Sequence, residues 1–212
     1  PLLPAALGGR IWHRLYWGCF LHDFGKSAIE FQERLRRVDN QWKQQHHRHE
    51  VLSLAFVDWL FPKGHLDREW VIGVIAFHHK DAPAIFDKYG GTAPLRDMDS
   101  THRELVAQSL GYLGDQIGAE TSAMLWRWID TCALDWAGAL NIPVLVPPAL
   151  LPQEQAEKRD LANGIFQALR SYNRWLPKTS ATEKQTLILP RGLILTADHA
   201  ASAGVEPFPD MP

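Results

Sequence analysis

The stretch LHDFGKSAIEFQ, from Leu21 to Gln32, decides how this chain is read. Upstream of it, IWHRLYWGCFL (Ile11 to Leu21) is apolar at most positions and predicts a buried helix. Gly25 is a stop signal for that helix. Ser27 and Glu30 have the S-x-x-E spacing of a capping box and predict a second helix from Ser27, ahead of Phe31 and Leu35. The HDFGK run therefore falls at a junction between two helices, where side chains of one turn can converge on a cleft. His22 beside Asp23 has two readings there. An imidazole at a helix C-terminus interacts well with the macrodipole. The pair is equally half of a metal site.

Reading outward, the chain is helical nearly throughout. The polar stretch DNQWKQQHHRH leads into EVLSLAFVDWL, a short apolar helix stopped by Pro62. REWVIGVIAFHH predicts another helix with His78 and His79 at its C-terminal end, and residues 81 to 97, with Pro83, Gly90, Gly91 and Pro94, read as a loop. Amphipathic helices are expected at about 100 to 117 and 119 to 140. NIPVLVPPALLP has too many prolines to continue a helix. Glu154 to Leu176 is helical again. PRGLILTADHAASAG closes the chain as a helix, with Pro190 suited to its first turn and Gly204 to its C-cap. No alternating strand pattern, internal repeat or low-complexity tract appears. The expectation is an all-α bundle with a metal site in a central cleft.

Composition limits the alternatives. With 46% hydrophobic and 22% charged residues, the 212-residue chain is an ordinary globular sequence with material for a core. A net charge of -2 gives no global positive field for nucleic acid. Cys19 and Cys132 lie in apolar, helix-like runs and point to a reducing compartment rather than a disulfide framework. No apolar run is long enough to span a bilayer and no signal peptide is recognisable, so the expected location is cytoplasmic, away from any membrane. The start at Pro1 and the Pro-rich exit EPFPDMP suggest one domain, residues 1–212, cut from a longer protein.

The 10 histidines are unevenly placed. His46, His47 and His49 cluster, and His78 and His79 are adjacent. His22, His49, His78 and His79 all fall at boundaries of predicted apolar helices. A single helix-terminal His is more often a dipole partner than a ligand. Two adjacent ones are harder to explain, because buried imidazoles cost free energy unless hydrogen-bonded or metal-bound. Asp23 carries two oxygens beside a candidate ligand and is suited to bridge two ions. Asp198 falls in the apolar run GLILTADHAAS, where a carboxylate is expensive unless paired or coordinating. Its bland reading is an exposed stripe with Ser202, one turn on, and His199. Lys26 is read either as a surface residue or as a cation near a phosphate or a metal-bound carboxylate.

Taken together, HDFGK with Phe31-Gln32, RHEVLS (Arg48 to Ser53), AFHHK (Ala76 to Lys80) and LTADHAAS (Leu195 to Ser202) resemble the HD phosphohydrolase superfamily. More narrowly, they resemble the HD nuclease domain of the CRISPR-associated helicase-nuclease of type I systems. HD alone is a weak motif; the four motifs in this order are specific. The likeness runs from about Leu21 to Ser202, matching between 100 and 190 only in helical character. It implies an all-helical fold binding one or two divalent ions (Mn, Ni, Co, Fe or Mg). It implies cleavage of single-stranded DNA alongside a helicase domain, in the same or another chain, and a crRNA-guided surveillance complex. By the same resemblance His22, Asp23 and Asp198 hold one ion, and Asp23, His49, His78 and His79 the second. Lys26 and Ser202 would contact phosphate or orient ligands.

One departure stands out. The family carries a further ligand His well upstream of the HD pair, whereas only His13 precedes it here. His13 is too close to His22 on one helix to reach the same cleft, so the expected ligand lies upstream of Pro1 or has been lost. His49 is preferred over His46 and His47 because Glu50 and Ser53 place it in the pattern; the other two read as solvated loop residues. The basic residues Arg34, Arg36, Arg37, Lys43 and Arg48 form either a patch around the cleft or a solvated face. Of nine Trp, Trp42 alone is a candidate DNA contact, the others reading as packing residues. Two rival functions remain: a nucleotide phosphohydrolase, which needs a closed pocket, and a non-catalytic docking module with a crippled metal site.

Overall fold

The computed structural model describes residues 5–36, 47–89, 111–112, 114–141 and 150–204. Among them every regular element is helical. Chain order runs α1 (Ala5–Leu21), a 3-10 turn (Phe24–Ser27), α2 (Ile29–Arg36), α3 (His49–Ser53), a 3-10 turn (Leu54–Phe56), α4 (Val57–Leu60), α5 (Arg68–Ala76), α6 (Ala82–Tyr89), α7 (Ala119–Ala139), α8 (Gln153–Glu157), α9 (Leu161–Trp175), a 3-10 turn (Leu176–Lys178) and α10 (Ala181–Ser202). The all-α expectation holds. The polar stretch with Trp42, Lys43, Arg37 and His46, most of the helix expected at 100–117, and the proline-rich segment 142–149 lie outside the described residues.

α5 is the central helix. All of its residues except Glu69 are buried, which is why its sequence is nearly continuously apolar rather than amphipathic. α1, α3, α9 and α10 pack around it. Trp17 and Leu21 of α1, Phe56, Trp59 and Leu60 of the α3–α4 region, and Ile72 and Ile75 of α5 are almost fully excluded from water. At about 25 cal/mol per Å² of apolar surface, side chains of this size each stabilise the fold by roughly 1.5–3 kcal/mol. α7 closes another side: the Tyr16 hydroxyl donates to the Ala133 carbonyl, and Trp128 stacks on Phe24 with an interplanar angle of 10°. Trp17, Trp59 and Trp70 are core residues as expected, but Trp12, Trp128 and Trp136 are exposed by 40–47%. Among the described residues no helix is long and apolar enough to cross a membrane, and Cys19 and Cys132 are free thiols.

Several boundaries differ from the sequence reading. α2 begins at Ile29 and Ser27 does not cap it; the Ser27 hydroxyl donates back to the Phe24 carbonyl at 2.6 Å. Gln116 does the capping from a distant segment, accepting Ile29 N–H on its backbone oxygen at 2.8 Å and Glu30 N–H on its side chain at 2.9 Å. The segment after Asp81 is a helix, because Pro83 falls in the first turn of α6, where its missing N–H costs nothing. Asp160 divides the expected 154–176 helix, accepting from Asn163 N–H as the N-cap of α9. α10 starts nine residues before Pro190, at a full capping box of Ser180 and Glu183, with Pro190 buried mid-helix. Its C-terminal signal is where the sequence put it: Gly204 has a φ of 64°, the left-handed geometry that favours glycine.

Candidate metal centre

α1 delivers the first pair of side chains. Its final turn closes with His22 N–H donating to the Gly18 carbonyl at 2.9 Å. Asp23 follows at φ -101° and ψ 0°, a sparsely populated region common among active-site residues. Its carboxylate does not cap the 3-10 turn it precedes, and is free to face sideways. Gly25 fixes what lies beneath: a Cβ there would fall onto the His49 carbonyl oxygen. Only glycine permits this approach of the HD turn to α3.

Ser53 locks the two segments together. Its hydroxyl oxygen accepts from Gly25 N–H at 2.7 Å and lies 2.7 Å from the His22 carbonyl and 3.0 Å from the His49 carbonyl. Gln32, the second residue of the Phe-Gln signature, donates to the Lys26 carbonyl at 2.7 Å. On the opposite side, Arg191 of α10 donates from Nε to the Phe77 carbonyl at 2.9 Å, holding the turn that presents His78 and His79. Ser53 and Gln32 belong to the sequence motifs, whose spacing does not reveal these bonds; Arg191 has no sequence signal at all.

The side chains meet between these elements. His22 Nε2 is 3.4 Å from Asp23 Oδ2, and His49 Nε2 is 3.4 Å from Asp23 Oδ1. Lys26 Nζ donates to Asp23 Oδ2 at 2.8 Å and lies 3.6 Å from Asp198 Oδ1. His79 Nε2 is 3.5 Å from Asp198 Oδ2. Three overlapping sets each bring one ligand atom per residue within 4.8 Å of the others: His22, Asp23 and Asp198; His49, His78 and His79; and His79, Asp198 and His199. All six residues expected to hold metal are therefore in one cluster with Lys26. Ser202 is exposed on the last turn of α10, with no hydrogen bond to the cluster among the described residues.

Two imidazoles have fixed orientations. His22 Nδ1 lies 2.6 Å from the Cys19 carbonyl and His78 Nδ1 2.7 Å from the Ile75 carbonyl. A carbonyl only accepts, so each Nδ1 carries the proton and, in the neutral ring, Nε2 presents a lone pair to the cluster. His22 Nε2, Asp23 Oδ1, His49 Nε2 and His78 Nε2 are buried atoms with no hydrogen-bond partner. An unsatisfied buried polar group costs about 1–3 kcal/mol. Four of them aimed into one space, all nitrogen and carboxylate oxygen, form the donor set of a divalent first-row ion, and the residues fit that group.

Electrostatics prepare the same atoms. Burial first, and neighbouring His79 second, push His78 down to about 4. Burial outweighs the attraction of Glu50 and Asp23 and pushes His49 down to about 4, and burial likewise lowers His79. These rings are neutral, ligand-competent bases at neutral pH. Burial opposes ionisation of Asp198, but Lys26, His22, His79 and His78 together hold its carboxyl below the usual range.

The neighbouring histidines are placed elsewhere. His47 packs against the rings of Tyr89 and Tyr112 at 6.1 and 5.1 Å rather than standing in solvent. Arg48 is paired with Glu50, itself 1% exposed, and the Arg34 guanidinium lies 4.6 Å over the Phe31 ring. His13 is buried near Asp67, its Nε2 3.8 Å from Oδ2, as its place on α1 anticipated.

Comparison with known proteins agrees with this geometry. No curated protein and no solved structure gives a significant match. The model of the family described as Cas3, HD domain matches residues 8–204. That span runs from α1 through the end of α10 and takes in every residue of the cluster. The chain belongs to the Cas3 HD-domain family, the HD nuclease domain of type I CRISPR systems.

Proposed function

We propose that this domain is a metal-dependent nuclease that cleaves single-stranded DNA by phosphodiester hydrolysis, working in the cytoplasm with a helicase domain and a crRNA-guided surveillance complex. The observation that carries the reading is the convergence of four buried ligand atoms without a hydrogen bond, on His22, Asp23, His49 and His78. His22, Asp23 and Asp198 would hold one ion, and His49, His78 and His79, with Asp23 shared, a second. Bound divalent ions lower the pKa of water to give hydroxide near neutral pH and stabilise the attacking and leaving oxygens of an in-line displacement.

The chain's own groups do the rest. The Cys19 and Ile75 carbonyls hold the His22 and His78 rings so that each lone pair faces inward. Asp23 faces His22 with one oxygen and His49 with the other, which suits it to bridging. Lys26 spans Asp23 and Asp198 and places a fixed positive charge where a phosphate diester would arrive. Side-chain exposure is 36% for Asp23 and 31% for Lys26. Substrate would therefore approach from their side, while His78 lies beneath. A cavity of about 580 Å³, large enough for a nucleotide, is lined by Gly114, Asp160 and Phe166 and by none of the ligand residues. That cavity lies apart from the cluster, and it is the exposure of Asp23 and Lys26 that supports approach of a polymer.

The test is cleavage of circular single-stranded DNA with Mn, Ni, Co, Fe and Mg supplied separately. The expected result is metal-dependent cleavage that falls to background in Asp23→Ala. Efficient hydrolysis of free nucleotides, with nucleotides competing against DNA, would replace the reading with a small-molecule phosphohydrolase. Absence of stoichiometric metal binding would replace it with a docking module.

A further inference from the structure

His199 was not among the residues expected to act, yet it closes the third set of ligand atoms, with His79 and Asp198. Asp198 has one oxygen for each side. Oδ1 lies 3.6 Å from Lys26, toward Asp23; Oδ2 lies 3.5 Å from His79 Nε2. The rings of His79 and His199 lie nearly parallel, with 22° between their planes and centroids 6.3 Å apart. His199 is exposed and His79 half-buried, so this set opens to solvent beside the inner cluster.

We propose that His79, Asp198 and His199 form an outer position for one first-row transition-metal ion, which competes with the inner centre for His79. Two imidazoles and a carboxylate suit Co, Ni, Zn or Mn, with water completing the coordination, and do not suit Mg, which favours all-oxygen surroundings. A neutral imidazole has one lone pair, so His79 serves either the His49–His78–His79 set or the outer one. An ion in the outer position takes His79 away from the inner set. The outer position is the weaker, because His199 is exposed and only three protein ligands contribute. The proposal rests on the inner cluster being a metal centre, and its test is arranged to fail separately from that reading.

The experiment is a Co(II) titration of the metal-free protein, followed by calorimetry and by visible absorption of the bound ion. Wild type is expected to show a tight phase and a weaker one. His199→Ala should leave the tight phase intact and remove the weaker phase or weaken it at least about tenfold, since even partners outside the ligand shell contribute about 10–100-fold. His199→Gln should behave alike, and both should fold, because the side chain is exposed. His78→Gln should disrupt the tight phase and keep the weaker one. A weaker phase unchanged in both His199 variants places that ion elsewhere and overturns the proposal, as does a wild-type titration with no weaker phase. A tight phase unchanged in His78→Gln instead defeats the inner-centre reading and leaves the His199 result to stand by itself.

Discussion

Two sites along α1, one at its middle and one just past its end, draw on the same residue types and put them to opposite use. At its middle, His13 and Arg14 are buried with Asp67, the residue ahead of α5, and Arg10 reaches the same carboxylate from a partly exposed position; past its end, His22 and Asp23 lie beside Lys26. At the first site two guanidiniums saturate the carboxylate. Arg10 donates to both Asp67 oxygens at 2.9 and 3.2 Å, and Arg14 donates at 2.8 Å. Arg14 also lies over the Trp70 ring at 4.0 Å, so its charge is locked on two sides. At the second site one ammonium reaches Asp23 Oδ2 and leaves Oδ1 to the imidazoles. A guanidinium has five donors in a rigid fork and fills the lone pairs of its partner; an ammonium is a point charge that leaves room. The difference separates a structural tie from a centre with basic atoms to spare.

The largest effect that would break this contrast is at Asp67. Burial raises the Asp67 carboxyl, but Arg10 and Arg14 together hold it below the usual range. Asp67→Ala leaves Arg14 buried without its counter-ion and is expected to cost about 3–5 kcal/mol of unfolding free energy, read by chemical denaturation. Metal binding, measured where the variant remains folded, should be unchanged. Loss of metal binding in a folded Asp67→Ala would show that the two sites are coupled.

Next in size is a dependence on pH. His49 and His78 are lowered to about 4, from the ordinary value of 6.5. Between those values the unfolded chain binds protons that the folded chain refuses. The stability of the metal-free protein should therefore fall as pH drops through 6.5 toward 4, by up to about 1.4 kcal/mol per pH unit for each ring. Denaturation midpoints from pH 7 to 5 measure the slope, and His78→Gln should flatten it. An equal slope in that variant would assign the protons to other groups.

The smallest effect sharpens the comparison. Ser53→Ala removes the hydroxyl that joins the His22, His49 and Gly25 backbones. Folding should weaken by only about 1–3 kcal/mol, while metal affinity should drop about 10–100-fold. Calorimetry on the folded variant decides; unchanged affinity would mean that Gly25 packing alone fixes the ligands.

The sequence revealed the side chains that cluster better than what holds them in place. HD, HE-x-x-S, HH and AD were legible because histidines and carboxylates at the edges of apolar runs are costly without a role. The same S-x-x-E spacing at Ser27 and at Ser180 shows the limit. At Ser180 it is a true capping box; at Ser27 the position is taken by Gln116, a partner many residues away that no local pattern announces. Pro83 reads as loop and Pro190 as the first turn of a helix, yet Pro83 is in the first turn of α6 and Pro190 is in the middle of α10. Arg191 supports the His78–His79 turn through a backbone carbonyl, an interaction that depends on tertiary placement and leaves no trace in spacing. His199 has no such signal, because an exposed stripe with Asp198 and Ser202 accounts for it.

Arg191 and Asp198 share α10, the last described helix, and this orders events on the ribosome. A nascent chain ending at Ser180 has already released His22, His49, His78 and His79, yet it lacks both the guanidinium that steadies two of them and the second carboxylate. Four imidazoles then wait on an unfinished scaffold until the final helix emerges and docks on α5. Completion of the side-chain cluster therefore waits on α10, and a product truncated before Ala181 carries the four histidines without Arg191 and Asp198.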